Sequence, residues 1–208
     1  MVQQTVKETG FNIVFDSQQV FRLLMDAMSR PGKINKLADY GFTRIPSGFN
    51  PYVLALLKTL SDNTVTFSIA GDRKEPWESY LEINTGAKLE SVNQADFVVF
   101  QGPIFSQDIL TIKRGTLEFP EDSATAIISV DSLGEKEDSI LTAPASTFTM
   151  RGPGIKDFII LNIGGLDKRF GQALAEVNAI FPLGIDIIMV DVEGQLACIP
   201  RTTQVEVA

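Results

Sequence analysis

The chain has 208 residues, 44% hydrophobic and 21% charged, a composition typical of a globular protein with a sizeable core. Its 18 basic and 26 acidic residues give a formal net charge of −8, which disfavours nucleic acid as a partner. With no histidine and one cysteine, the chain has no Ser-His-Asp triad, histidine metal ligand, internal disulfide or iron–sulfur cluster bound by its own cysteines.

The sequence contains no apolar run that approaches the ~20 residues of a membrane span, so we expect no membrane partner. The amino-terminal residues show no basic head followed by an apolar stretch, and we therefore expect a cytoplasmic protein.

The predicted helices begin with one capped by Asp16, with Gln19 completing the cap and Pro31-Gly32 ending the helix. Asn50-Pro51 predicts a second helix over residues 51–60, which is apolar on nearly all sides and should lie inside the protein. The remaining predicted helices are a short one from Glu75, one capped by Ser106 that ends before Gly115, and one over 165–180 that buries Phe170, Leu174, Val177 and Ile180.

Short apolar runs with β-branched residues predict the strands, at residues 65–69, 97–100, 126–130, 148–150 and 158–161. Residues 187–190 and 196–199 are predicted to form a hairpin around a turn in which Gly194 has a positive φ. Residues 131–138 are acidic and are predicted to be an exposed loop. The order of elements favours an α/β fold, a mixed β-sheet flanked by helices, within a single domain over residues 1–208.

A glycine turn follows one of the strands, at Arg151-Gly152-Pro153-Gly154. A guanidinium beside free backbone amides would suit the oxygens of a phosphate or phosphonate. The same residues are typical of a structural turn, which is the interpretation that we weigh more heavily. Arg151, Gly152 and Gly154 are therefore candidate residues for anion binding or partner contact.

The segment 199–206 places a proline, an arginine and two threonines within a strand-like sequence. Arg201, Thr202 and Thr203 could bind an anion, satisfy carbonyl groups inside the domain, or contact another subunit. Of these three interpretations, we give most weight to hydrogen bonds with carbonyl groups inside the domain.

Other reactive side chains fit structural roles. Cys198 lies in an apolar segment without a nearby base, so we expect a buried thiol that behaves as a small hydrophobic residue. Asp186, Asp191 and Glu193 lie around the hairpin, but no further carboxylates complete an oxygen-ligand set. We expect no metal site.

Two segments, residues 178–186 and 199–206, closely resemble the H subunit family of bacterial carbon–phosphorus lyase, PhnH. Further stretches agree in the same order, at residues 21–32, 54–57, 84–87 and 151–155. The resemblance thus covers nearly the whole chain.

The resemblance implies a fold like the large domain of pyridoxal-phosphate-dependent transferases, without that cofactor. It implies assembly with the G, I and J subunits in phosphonate breakdown. It also associates the chain, with the G, I and L subunits, with forming α-D-ribose 1-methylphosphonate 5-triphosphate from ATP and methylphosphonate. No catalytic residue carries over, because the radical and nucleosidase chemistries are associated with the J and I subunits.

Two alternatives stay open. A self-sufficient pyridoxal-phosphate transferase needs a lysine that forms a Schiff base, and Lys113 and Lys156 are candidates, although neither lies in a Ser/Thr-rich setting. A purely structural scaffold differs from the first hypothesis only in not touching substrate. We expect no bound cofactor, and we expect a homodimer when the chain is isolated, formed through the apolar helix at 51–60 and the hairpin.

Overall fold

The computed structural model describes residues 8, 10–71, 75–101, 107–135 and 144–207. In this part of the chain the helices are α1 (Phe15–Ser29), α2 (Pro51–Leu60), α3 (Glu75–Thr85) and α4 (Lys168–Val177). The strands are β1 (Asn35–Lys36), β2 (Thr66–Ala70), β3 (Lys88–Leu89), β4 (Phe97–Gln101), β5 (Thr125–Ser129), β6 (Ser132–Gly134), β7 (Ala145–Arg151), β8 (Ile159–Gly164), β9 (Asp186–Val190), β10 (Gln195–Ile199) and β11 (Gln204–Val207). Short 3₁₀ turns lie at Gln107–Thr111 and Pro120–Asp122.

The larger sheet has seven strands in the order β1-β10-β9-β5-β4-β2-β3. The strands from β9 to β3 are parallel, whereas β10 and β1 join the sheet antiparallel. Gly194 has a φ of +80° in the tight turn between β9 and β10. The predicted mixed sheet and the predicted hairpin are both confirmed.

Both faces of this sheet are covered, which explains why its strands are apolar without interruption. Ile127 and Ile188 belong to a core cluster with residues of helices α1, α2 and α3. Their neighbours Ile128 and Met189 point to the opposite face and belong to a second cluster. Because successive strand residues alternate between faces, a strand buried on both sides needs apolar residues throughout.

The second cluster is completed by a smaller antiparallel sheet, β11-β7-β8-β6, and by α4, which contacts β7 and β11. Gly171 of α4 lies so close to this sheet that a Cβ there would be 2.6 Å from Cε1 of Phe148. The β7 and β8 strands have seven and six residues and are longer than predicted; buried residues alternate along β7, whereas the last four residues of β8 are all buried.

Helix α2 follows its sequence signals closely. Asn50 caps it by accepting a hydrogen bond from the Tyr52 amide at 2.9 Å, and Pro51 occupies the first turn. The Asn50 side chain also donates to Ser129 Oγ at 3.0 Å and to the Asp191 carbonyl at 3.1 Å. The cap therefore ties the helix to the ends of two strands of the large sheet.

The predicted cap of α1 is wrong by four residues. Asn12, not Asp16, accepts from the amides of Val14 and Phe15, at 3.0 and 3.1 Å. The Asp16 carboxylate accepts in return from the Asn12 amide at 2.7 Å. This reciprocal pair satisfies the free amides at the helix start, which is what a capping box does.

The predicted bounds of α4 are also wrong. Asp167 caps the helix by accepting from the Arg169 amide, so it begins three residues after Gly165. It ends at Val177, because the side chain of Asn178 bonds to the backbone of Ile185. Phe170, Leu174 and Val177 are buried as predicted, whereas Ile180 lies beyond the helix and is exposed.

Two loop predictions fail in part. Residues 107–111 form a 3₁₀ turn instead of an α-helix, and Ser106, its predicted cap, lies outside the described residues. Residues 132–134 form β6, which pairs with β8 and buries Leu133, while 136–143 lie outside the described residues. An acidic stretch can still contribute a strand when one apolar residue in it reaches the core.

The surface that we predicted for self-association is not available. Residues 53–58 of α2 and all but the first residue of each hairpin strand are buried in the chain itself. The expectation that these segments leave an apolar patch for self-association is therefore wrong, because the large sheet is packed on both faces. No helix in the described part of the chain is long and apolar enough to cross a membrane.

Candidate functional site

The glycine turn and the segment 199–206 lie side by side in the structure. Arg151, the last residue of β7, pairs with Gln204, the first residue of β11. A Cβ at Gly152 would lie 3.0 Å from the Thr202 carbonyl oxygen, so the two backbones are in close contact there. The antiparallel pairing of β7 with β11 thus brings together all six residues that the sequence singles out.

The two glycines of the turn have positive φ values, +145° at Gly152 and +84° at Gly154. A Cβ at Gly154 would lie 2.5 Å from the carbonyl oxygen of Ser29, the last residue of α1. Glycine is therefore required both by backbone conformation and by close approach. These contacts give the turn a structural task, the docking of β7 onto the end of α1.

Arg201 is bonded on every side within the chain. Its Nη2 donates to Asp186 Oδ2 at 2.7 Å, and its Nη1 donates to the Pro120 carbonyl at 2.7 Å. Its Nε and its backbone amide both reach Asp186 Oδ1, at 3.4 and 2.8 Å. The guanidinium joins three parts of the chain, and its charge is balanced by a carboxylate.

The two threonines beside Arg201 differ in exposure. Thr202 is exposed at the surface. Thr203 is buried; its amide donates to the Pro200 carbonyl at 2.9 Å, and its hydroxyl oxygen has no hydrogen-bond partner among the described residues. Arg151 is exposed, and its guanidinium stacks over the ring of Phe158, 5.5 Å from the ring centre.

A pocket of about 520 Å³ lies between the second half of α4 and the segment 201–205. Its lining includes Pro153 of the glycine turn and the apolar side chains Leu174 and Phe181. Its polar side chains include Arg201 and Asn178, which are already bonded within the chain. An apolar group fits this pocket better than an anion, because the arginine there is already paired.

The first residues of the loop after α4, 178–180, were predicted as the end of the last helix. Asn178 holds it by donating to the Ile185 carbonyl at 3.1 Å and accepting from the Ile185 amide at 2.8 Å. The peptide bond between Phe181 and Pro182 is cis. Ile180 and Phe181 project into solvent at the tip of this loop. Phe181-Pro182 directly follows the predicted helix and indicates a helix end, but the local pattern does not show that α4 ends as early as Val177.

Other candidate groups lie elsewhere. Lys113 donates to Asp96 Oδ1 at 2.7 Å, and Lys156 is exposed in the connection between β7 and β8. Burial lowers the stability of the Asp96 anion, but hydrogen bonds from Lys113 and Thr66 outweigh this and lower the pKa of its carboxyl. Burial raises the pKa of the Cys198 thiol, so that this residue packs as a small hydrophobic side chain.

The carboxylates around the hairpin are used inside the chain. Asp186 pairs with Arg201, and Asp191 accepts from the backbone amides of Glu193 and Gln195, at 2.9 and 2.8 Å. Burial raises the pKa of Asp191, against the effect of these amide hydrogen bonds. The described residues contain no group of three or more His, Cys, Asp or Glu side chains arranged to hold a metal ion.

Comparison with known proteins extends along nearly the whole chain. Residues 9–206 match the family model described as bacterial phosphonate metabolism protein, PhnH. A protein of Rhizobium meliloti (strain 1021), alpha-D-ribose 1-methylphosphonate 5-triphosphate synthase subunit PhnH, is 33% identical over 198 residues, which cover 93% of this chain and 92% of that protein. The putative C-P lyase subunit protein HtxG of Stutzerimonas stutzeri is 33% identical over 188 residues, covering 90% of this chain and 85% of that protein. The chain therefore belongs to the PhnH family of bacterial phosphonate metabolism proteins.

Proposed function

We propose that this chain is a subunit of the carbon–phosphorus lyase core complex and assembles there with the G, I and J subunits. With the G, I and L subunits it would be required to form α-D-ribose 1-methylphosphonate 5-triphosphate from ATP and methylphosphonate. The observation that carries this proposal is the 33% identity over 93% of the chain to a subunit of a synthase with that product.

The geometry supports a role that acts through contact between subunits. Of the polar side chains that line the pocket, Arg201 and Asn178 are bonded inside the chain, so the pocket's guanidinium is not free to hold a phosphate. Large apolar side chains stand exposed beside the pocket, on the loop that carries Ile180 and Phe181. We propose the segments 151–154 and 201–203 as the frame of a partner contact, with Arg151, Thr202 and the pocket at its surface.

We further propose that the chain is a single PhnH-like domain and that it is located in the cytoplasm. We propose that its fold is related to the large domain of pyridoxal-phosphate-dependent transferases. The parallel strands β9 to β3, with helices α1, α2 and α3 on one face and α4 on the other, support that relation. A purely structural scaffold would share all these features, and only a substrate measurement separates the two roles.

We also propose that the isolated chain forms a homodimer, through α1 and not through the hairpin. Phe21 and Met25 of α1 are at least half exposed and lie four residues apart, and Val14, just before the helix, is seven residues from Phe21, so the three form a stripe along the outer face of α1 and its start. Helices with an apolar stripe on their outer face commonly pair with another helix.

Reconstitution of the transfer step from purified subunits, with and without this chain, tests the proposed function. We expect the ribose triphosphate product only when the chain is present. Isothermal titration of the chain with methylphosphonate and with ATP then separates a substrate-binding subunit from a scaffold. Full product formation in the absence of the chain would contradict the proposal.

A further inference from the structure

Two neighbouring loops carry a group of large apolar side chains into solvent. Leu117, Phe119, Ile180 and Phe181 are each between 49% and 74% exposed. We call these four residues the apolar ridge. Large apolar side chains gathered at the surface of a folded chain are typical of a surface that another molecule covers.

The loops that carry the ridge are firmly held. The Gly184 amide donates to the Arg114 carbonyl at 3.1 Å, which joins the two loops at one end. Arg201 donates to the Pro120 carbonyl at 2.7 Å and lines the same pocket as Phe181, which joins them at the other. Asn178 fixes the base of the second loop. A surface ordered before binding loses little conformational entropy when it binds.

Acidic side chains predominate beside the ridge, with Arg114 directly before the first of its two loops. Residues 115–122 and 175–186 contain five acidic residues and no lysine or arginine. Asp186 is paired with Arg201. The other four are exposed, and we call them the acidic rim: Glu118, Glu121, Asp122 and Glu176. An apolar centre with a charged edge is the usual anatomy of a protein interface.

The negative charge of the acidic rim indicates which kind of molecule would bind to this surface. A second copy of this chain, docked through a symmetric contact, would place the acidic rim against itself. A partner with apolar side chains flanked by lysine and arginine would complement both parts of the surface. The pocket beside Phe181 has room for an apolar side chain of that partner.

We propose that the apolar ridge, its pocket and the acidic rim form the docking surface for a different subunit of the complex, one that presents apolar side chains within a basic surface. This proposal rests on the proposed function, because it presumes that partner subunits exist. It assigns a role to the exposed side chains of Ile180 and Phe181 in the segment 178–186.

The test measures binding of the purified full chain to a purified complex of the G, I and J subunits, by biolayer interferometry at two salt concentrations. The first variant is Ile180→Ser with Phe181→Ser, and the second is Glu118→Lys with Glu121→Lys. Val192→Ser is the matched control, because Val192 is an equally exposed apolar residue in the hairpin turn. Thermal melts of each variant check that folding is unchanged.

We expect the serine double variant to bind at least ~10-fold more weakly than wild type, since exposed apolar side chains at an interface centre commonly act as hot spots. We expect the lysine double variant to associate more slowly and to lose the salt dependence of the wild-type rate. Val192→Ser should bind like wild type.

The outcomes separate the two proposals. Wild-type binding that survives both double variants but is lost in Phe21→Ser would overturn the ridge as docking surface, place the contact on α1, and leave the proposed function standing. A wild-type chain that does not bind the other subunits at all would overturn both proposals.

Discussion

Replacing Arg201 with alanine should lower the free energy of unfolding more than replacing a charged side chain on the surface. The substitution removes the hydrogen bonds from Nη2 to Asp186 Oδ2 and from Nη1 to the Pro120 carbonyl, both 2.7 Å long, and the longer one from Nε. It leaves the Asp186 carboxylate with the backbone amide of residue 201 as its donor. The connections of the 199–203 segment to the start of β9 and to the 120–122 turn are weakened together.

The expected loss of stability follows from the burial of the Arg201–Asp186 pair. The Arg201 side chain is 17% exposed and that of Asp186 is 26% exposed, so water can replace the lost donors only in part. A hydrogen bond to a charged group contributes about 1.5–3 kcal/mol, and two strong ones that share a residue do not add fully. We expect the free energy of unfolding to fall by about 2–4 kcal/mol, which lowers Tm by roughly 4–16 °C for a chain of this size.

Arg169→Ala is the matched control, because Arg169 also pairs with an aspartate, Asp167, at 2.8 Å. The Arg169 side chain is 63% exposed, whereas its partner Asp167 is 24% exposed, so the two pairs differ mainly in the burial of the arginine, and water screens the Arg169 pair. Urea unfolding and thermal melts of both variants give the comparison. Equal losses in the two variants would refute the argument from burial. An Arg201→Ala protein that melts and assembles like wild type, yet fails to bind phosphonate or nucleotide, would make Arg201 a ligand residue instead.

Gly171→Ala should lower the free energy of unfolding by about 1–3 kcal/mol in a urea titration. The new Cβ would lie 2.5 Å from Val207 and 2.6 Å from Phe148, and this overpacking outweighs the ~1 kcal/mol that alanine gains over glycine in a helix. A more stable variant would contradict this expectation. Burial raises the pKa of Asp191, so its contribution to stability is greatest below the ordinary carboxyl pKa near ~4 and falls as pH rises through the raised value. The difference in unfolding free energy between wild type and Asp191→Asn should therefore decrease from about pH 3 to pH 6, and an increase would oppose this sign. Light scattering at tens of micromolar should give a dimer for the isolated wild-type chain and a monomer for Phe21→Ser, whereas a wild-type monomer would exclude the α1 contact.

Several elements follow from short-range sequence signals. Asn50-Pro51 predicts α2 to the residue, since a capping side chain and a proline at the first turn act within the helix start itself. The β9–β10 hairpin follows from two apolar runs around a glycine turn. The cap of α1 was misplaced, because Asn12 and Asp16 can both cap and only the geometry of their reciprocal bonds decides between them.

The candidate site shows the limit of the same reasoning. The sequence indicates that Arg151, Gly152 and Arg201 are unusual for their surroundings, but it does not indicate their neighbours. The pairing of β7 with β11 brings the two segments together across some fifty residues, and the partner of the Arg201 Nη1 group, Pro120, is 81 residues away. Local patterns contain no information on contacts of that separation.

The sequence by itself determined α2, the central strands, the mixed sheet and the family, because periodicity, caps and motifs act over a few neighbouring residues. Only the tertiary structure decided what covers each apolar surface. It left no association surface on α2 and the hairpin, where we had expected one, and it exposed Ile180, which we had expected on the buried face of a helix. The physical reason is that burial depends on which layers pack on each face of the sheet, and that choice is made by the whole chain.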